Sequence, residues 1–233
     1  YPRWILAKLK GFTKCNFAYD SALMLFDKML APLISDFLES KQLSDTTVVV
    51  TADHGNTAAY SPKRKDKIKD YFFTMYEESI KIPFLIYNPK PQMNKNYKLV
   101  DSMGMMATFL ETLNIPLHES FKGISLYSGG RPIVITEHAG RGLPDLLTKD
   151  LYFVLTSQSE KLFICIKEKE LILKFYDLLT DPLEDKNLIG LEEYRPKILF
   201  MLKYFLRERG DVIINRFKKI KCKEFDFKID DVN

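Results

Sequence analysis

The run Val48-Val49-Val50-Thr51-Ala52-Asp53-His54-Gly55-Asn56 constrains this chain most. Three consecutive β-branched apolar residues between polar neighbours describe a short strand buried on both faces of a sheet. The run then stops at a carboxylate, an imidazole and a glycine. Open α/β sheets place their ligands beyond the carboxyl ends of the strands, so reactive groups belong at this point. An adjacent Asp and His can offer an oxygen and a nitrogen to one divalent metal. Gly55 permits a tight turn or the close approach of a ligand. A solvated strand–turn junction explains the same residues, and the run alone leaves both readings open.

A length of 233 residues suits one large α/β domain, or one domain with an appendage. With 46% apolar and 28% charged residues, the chain can bury a substantial core. No apolar run reaches the roughly 18 residues that cross a membrane, so no transmembrane segment is expected. No secretory signal opens the chain, and Tyr1-Pro2-Arg3-Trp4, without an initiator Met, reads as an internal cut in a longer polypeptide. Cys15, Cys165 and Cys222 are too widely spaced for a disulfide framework or a paired-cysteine metal site. Cys165, inside Leu162-Phe163-Ile164-Cys165-Ile166, is expected to be a buried thiol. The net charge of +4 is uneven: ten Lys or Arg lie between Arg195 and Lys223, against Glu208 and Asp211.

Apolar residues at Ala22, Phe26, Met29, Leu30, Leu33, Ile34 and Phe37 predict an amphipathic helix from about Asn16 to Ser40, with Pro32 inside it. A short connection leads to the strand at Thr47 to Ala52, giving the ingredients of a βαβ layer. Ser61 to Asp70 is a basic surface loop, and Ile80 to Tyr87 is a second strand with Pro83 near its start. Asn88-Pro89-Lys90-Pro91 is turn chemistry. Val100 to Leu113 reads as a helix whose methionines fill a core. Pro132 to Thr136 is a third strand, ending in Glu137-His138-Ala139-Gly140-Arg141-Gly142. Leu151 to Thr156, Lys161 to Ile166 and Leu171 to Phe175 suggest a small antiparallel meander. A final helix is expected from about Glu192 to Arg209.

Four segments in this order resemble the later half of the sulfatase-like branch of the alkaline phosphatase superfamily. The first is the helix from Tyr19 to Ser40 leading into Val48 to Gly55. The second, Met75-Tyr76-Glu77-Glu78-Ser79-Ile80-Lys81-Ile82-Pro83, is similar to the family's Tyr-Glu-Glu-Ser-Ile-Arg-Val-Pro segment. The third is Leu99-Val100-Asp101-Ser102 with its helix to Pro116, followed by Phe121-Lys122-Gly123-Ile124-Ser125-Leu126. The fourth, Phe175 to Leu188, is similar to the family's late Tyr-Asp-Leu, Asp-Pro, Glu, Asn-Leu signature. Together they span roughly residues 17 to 190.

The resemblance implies a divalent ion on Asp53 and His54, calcium first, with manganese or zinc as the other candidates. Such an ion coordinates an oxygen of a sulfate or phosphate ester while a nucleophile attacks. It also implies a Cys/Ser-x-Pro-x-Arg nucleophile, or Thr or Ser in phosphatase relatives, and early acidic metal ligands. This chain contains neither, so no catalytic nucleophile is assigned to it. Tyr60-Ser61-Pro62-Lys63-Arg64 lacks a Cys or Ser two residues before its proline. Phe72 stands where relatives often carry a sulfate-contacting Lys four residues before the tyrosine. Lys63, Lys65, Lys67 and Lys69 could supply that charge, and Lys67 is taken as the candidate. His138 and Arg141 could orient an anionic ester or protonate its leaving group, or simply decorate a strand end. His118 is expected in a surface loop.

The expected fold is α/β: a partial alkaline-phosphatase-like sheet flanked by helices, then a small antiparallel β meander and a C-terminal helix. The expected division is a catalytic part over residues 1–145, a β subdomain over 146–190 and a basic helix and tail over 191–233. The expected function is that of a fragment of a metal-dependent sulfatase-like hydrolase or transferase. Its substrate would be an anionic ester, with a polysaccharide as one source. Phosphoester hydrolysis, phosphonate monoester hydrolysis and phospho-group transfer remain alternatives. A reading of another class makes the chain a non-catalytic polyanion-binding module acting through Arg216, Lys218, Lys219, Lys221 and Lys223, which otherwise form a solvated basic face. No nucleic-acid-binding motif accompanies them, and no nucleic-acid partner is expected.

Overall fold

The computed structural model describes residues 17–40, 46–55, 75–87, 99–138, 150–167, 170–217, 222 and 225–227. The chain divides into two compact units, Tyr1–Lys90 and Pro91–Asn233. In the first, helix α1 (Phe17–Glu39) continues through Pro32. Strand β1 (Val48–Thr51) pairs antiparallel with β2 (Phe84–Tyr87), Val48 opposite Tyr87 and Thr51 opposite Phe84. The βαβ pattern anticipates parallel strands, but this pair runs antiparallel. The triple-valine strand is half-buried rather than buried on both faces.

Before β2, residues Glu77–Ile80 form a single helical turn, α2, and Ile80, where the sequence pattern starts its strand, closes that turn instead. The Tyr76 carbonyl accepts from the amides of Ser79 (2.8 Å) and Ile80 (3.2 Å), and Lys81 N–H donates to Glu77 O at 2.8 Å. Pro83 biases Ile82 towards extended backbone, so the turn stops and β2 begins.

In the second unit, helix α3 (Ser102–Thr112) is capped by Asp101, whose carboxylate accepts from the Gly104 amide at 2.9 Å. The same carboxylate faces Arg131 Nε at 2.9 Å, and Arg131 N–H donates to Leu99 O at 2.7 Å. Gly104 and Gly123 let the two halves of the third motif meet. A Cβ on Gly104 would lie 2.5 Å from Ile124 O, and one on Gly123 2.2 Å from Met103 O. Thr108 fastens the contact, donating to Gly104 O at 2.6 Å and accepting from Leu126 N–H at 2.9 Å.

A four-stranded antiparallel sheet follows, in the order β3 (Val134–His138), β4 (Leu151–Thr156), β5 (Glu160–Ile166) and β6 (Leu171–Asp177). The third strand of the sequence reading thus joins the meander as its edge, and it runs two residues further. Glu137 and His138 pair with Phe153 and Tyr152 inside the ladder instead of lying beyond it. Along β6, Leu171, Leu173 and Phe175 point into the core while Ile172 and Lys174 alternate outward, the period of two that a strand imposes.

Helix α4 (Arg195–Phe217) covers the inner face with Ile198, Met201, Leu202, Phe205 and Leu206, a spacing of three and four residues. Pro196 sits in its first turn, where a missing amide donor costs nothing. The Phe153 and Phe205 rings meet at 4.9 Å. Each such fully buried side chain contributes about 1.5–3 kcal/mol relative to exposure, so this layer holds itself together. Cys165 is buried in β5, as its apolar context predicts. Among the described residues, no helix is long and apolar enough to cross a membrane.

Candidate metal centre at the end of strand β1

Asp53 and His54 follow β1 directly and stand in solvent, with side chains 87% and 66% exposed. The Asp53 carboxylate accepts from the His54 backbone N–H through Oδ1 at 2.9 Å, which leaves Oδ2 pointing elsewhere. His54 Nδ1 lies 2.8 Å from Gly55 O. A carbonyl oxygen can only accept, so Nδ1 is the donor in this contact, and in that tautomer of the neutral imidazole Nε2 is the acceptor. That nitrogen lies 3.5 Å from Asp53 Oδ2. Bonds of about 2.1 Å to nitrogen and about 2.4 Å to oxygen would subtend roughly 100° at a shared ion. Backbone locking of the non-ligating nitrogen is the outer-shell arrangement that metal-binding histidines use. The pair therefore fits a divalent metal. Among the described residues no third His, Cys, Asp or Glu joins it in a metal-sized cluster, so a complete site needs further donors.

Gly55 explains why the first two sequence motifs belong together. Its N–H donates to Ser79 O at 2.8 Å, and a Cβ there would lie 2.0 Å from the Glu78 carbonyl oxygen. Only glycine lets the end of the Asp-His loop rest on the α2 turn. The second motif is thus a backbone platform for the loop that carries the candidate ligands.

The other anticipated site residues fare differently. His138 ends β3 in the second unit, where its ring meets the edge of Tyr152 at 6.2 Å and 89°. Tyr152 OH donates to Asp150 Oδ2 at 3.3 Å. Burial, with help from Cys165 and Asp150, pushes the Tyr152 hydroxyl up to about 12, and burial pushes the Cys165 thiol up to about 11. Both therefore stay protonated at neutral pH and offer no nucleophile. Glu137 is held by Arg209. Arg141 and Lys67 lie outside the described residues, as do Phe72, Lys63, Lys65 and Lys69. His118 is exposed in a loop, its Nδ1 2.8 Å from Ser120 Oγ, as expected. On α4, Arg195, Lys197, Arg207 and Arg209 each engage a neighbouring carbonyl or carboxylate.

Sequence reading missed the purpose of the fourth motif, which is structural. Asp177 Oδ1 accepts from the Leu179 amide at 2.9 Å, and Asp181 accepts from Asp185 (3.1 Å) and Lys186 (2.8 Å). Asn187 Oδ1 takes the amides of Phe175 and Ile189. Glu184, at a positive φ of 53°, turns its carboxylate inward to Lys161 Nζ at 2.8 Å, with both side chains 1% exposed. The only hint in the sequence is a lysine directly before the apolar run of β5.

The model of the sulfatase family matches residues 17–115. An arylsulfatase of Clostridium perfringens is 24% identical over 211 residues, covering 85% of this chain and 41% of that protein. Arylsulfatase K of Bos taurus is 28% identical over 174 residues, covering 70% of this chain and 31% of that protein. Among solved structures, BT4656, in complex with its substrate D-glucosamine-2-N,6-O-disulfate, superposes with a TM-score of 0.63 at 19% identity. The superposition covers 91% of this chain and 46% of that one. At that identity the likeness concerns the fold. The chain spans less than half the length of the relatives it matches.

Proposed function

Taking the chain as one that carries sulfatase-family sequence, we propose that it is the later part of a metal-dependent sulfatase-like hydrolase or transferase of sulfate or phosphate esters. The observation that carries this reading is the exposed pair of side-chain atoms beyond β1, His54 Nε2 and Asp53 Oδ2, 3.5 Å apart. A divalent ion held there, calcium first and manganese or zinc otherwise, would supply positive charge against an ester oxygen. The chain's own part is positional. Gly55 O holds the His54 proton on Nδ1, and the Ser79 carbonyl anchors Gly55. Lys67 in the first unit, and His138 and Arg141 in the second, are separate candidates for binding an anionic group. The nucleophile and the remaining metal ligands belong to residues outside this chain.

A sulfated sugar is the favoured substrate class, supported by a structural neighbour solved with a disulfated glucosamine. A second reading, phosphonate or phosphate ester hydrolysis, draws on two observations. Phe72 occupies the place of the sulfate-contacting lysine. The fold also superposes on the phosphonate monoester hydrolase of Agrobacterium radiobacter, with a TM-score of 0.56 and 16% identity over 84% of this chain and 40% of that one.

The test is Asp53→Ala and His54→Ala in the enzyme that contains this chain. Metal content is read by elemental analysis, and turnover with 4-nitrophenyl sulfate, 4-nitrophenyl phosphate and a phenylphosphonate monoester. Both variants should lose bound metal and at least roughly a hundredfold in turnover. Full metal content and activity in Asp53→Ala would refute the assignment, and the ratio among the three substrates decides between the two readings.

A further inference from the structure

The basic stretch from Arg216 to Lys223 leads into residues that pack on the sheet-and-helix layer. Cys222 forms a parallel bridge with Leu171, the first residue of β6. β6 is an edge of its sheet, and an open edge presents unpaired N–H and C=O groups. Phe225 is 5% exposed and belongs to the apolar core of the layer, with Cys222 and Phe227 packed against that core. Arg195, the first residue of α4, stands over the Phe225 ring at 4.9 Å and donates to Asp226 O at 2.8 Å. The guanidinium thus holds one ring face by cation–π attraction and one carbonyl by a charge-assisted hydrogen bond.

Chain length makes this arrangement restrictive. From Arg195 to Phe217, α4 rises about 33 Å. Allowing about 12 Å for the arginine's reach and its hydrogen bond, Asp226 still stands roughly 20 Å from Phe217. The nine residue steps between them supply about 30 Å when extended, whereas five would supply only about 17 Å. We propose that residues 222–227 are a clasp that ties the far end of α4 back to its beginning, through the β6 edge at Leu171 and the Arg195 side chain. The stretch before it then acts by its length, a role that its charge does not suggest. The clasp keeps α4 seated on the sheet and covers the start of the β6 edge.

Four forms of the 233-residue chain test this: the unmodified chain, a deletion of Lys218-Lys219-Ile220-Lys221, Lys218→Gly/Lys219→Ser/Ile220→Gly/Lys221→Ser, and Arg195→Met. The quadruple variant keeps the length and removes the charge and the apolar side chain. Melting temperature and hydrogen exchange are read. The deletion should lower the melting temperature by at least roughly 5 °C and raise exchange at least about tenfold at the start of β6 and in the first turns of α4. The quadruple variant should recover at least half of that loss. Arg195→Met should raise exchange at residues 225–227 with a smaller fall in melting temperature. Three results overturn the proposal. A deletion that melts like the unmodified chain shows that nothing is clasped. A quadruple variant as unstable as the deletion shows that the identity of those residues matters and their length does not. Unchanged exchange at residues 225–227 in Arg195→Met removes the arginine from the clasp.

Discussion

The segment from α1 to the Leu126 turn and the sheet-and-helix layer from Ile133 onward are built on opposite principles. In the later layer, four strands and α4 enclose an apolar core formed by side chains of that layer. In the earlier segment, backbone meets backbone at Gly55, Gly104 and Gly123, Asp101 caps a helix, and large apolar side chains face outward. The later layer has the means to be stable; the earlier one has the means to be shaped. Local hydrogen bonds and close glycine contacts specify a loop's geometry, but burial supplies most of the folding free energy. The candidate metal ligands sit in the shaped part.

The largest test of this contrast is a pair of alanines. Phe205→Ala in the closed core should cost about 3–5 kcal/mol, whereas Met29→Ala at an exposed position of α1 should stay within about 0.5 kcal/mol. Urea unfolding followed by circular dichroism reads both. Equal losses would erase the distinction between the two regions.

A comparable loss is expected at the buried ion pair. Lys161→Met leaves the Glu184 carboxylate buried without its charge partner and should cost about 3–5 kcal/mol. Adding Glu184→Gln should recover much of that, because the pair's value lies mainly in avoiding an uncompensated charge. A double variant no more stable than the single one would show that the pair itself supplies net stability.

Gly55→Ala separates the regions from the other side. Its Cβ would meet the Glu78 carbonyl, so the Asp-His loop must shift at a cost of about 1–3 kcal/mol. Hydrogen exchange should rise at residues 46–55 and 75–87 while protection of β4, β5 and β6 stays unchanged. Loss of protection throughout the later sheet would show that the two regions fold as one.

The smallest effect concerns pH. Burial pulls the Glu160 carboxyl upward, but hydrogen bonds from Lys197, Ser157 and Ser159 outweigh it and hold the group below its ordinary 4.5. A carboxyl with a lowered folded value stabilises the protein above the unfolded value and loses that contribution as pH falls through the folded one. Lys197 is largely exposed, so the contribution is below about 1 kcal/mol. Glu160→Gln should therefore flatten the fall in melting temperature below pH 4.5 slightly. A steeper fall in that variant would reverse the sign.

Much of the fold was legible because its periods are strong. The apolar spacing of α1, α3 and α4 and the alternation along β6 appear where the sequence pattern placed them, to within a few residues except at the end of α4. The α2 turn was not legible. Glu77-Glu78-Ser79-Ile80 is too short for a helical period to emerge, and its conformation follows from Tyr76 carbonyl bonding and Pro83. The length of β3 was missed for a different reason: Glu137 and His138 are polar, and only pairing with β4 keeps them in the ladder. At the candidate site, Asp53-His54-Gly55 displays the two candidate donors in the sequence itself. Which ring nitrogen of His54 donates was not legible, since that depends on where the Gly55 carbonyl points.

The sequence by itself determined the element types, the sulfatase-like order of motifs and the two candidate metal donors, because these depend on residues near one another along the chain. Only the tertiary structure decided which segments lean on which. It seated Gly55 on the Ser79 carbonyl, paired Lys161 with Glu184 and closed one core. Those outcomes depend on groups brought together through space, and the one-dimensional pattern of apolar and polar residues carries no record of which partner each will meet.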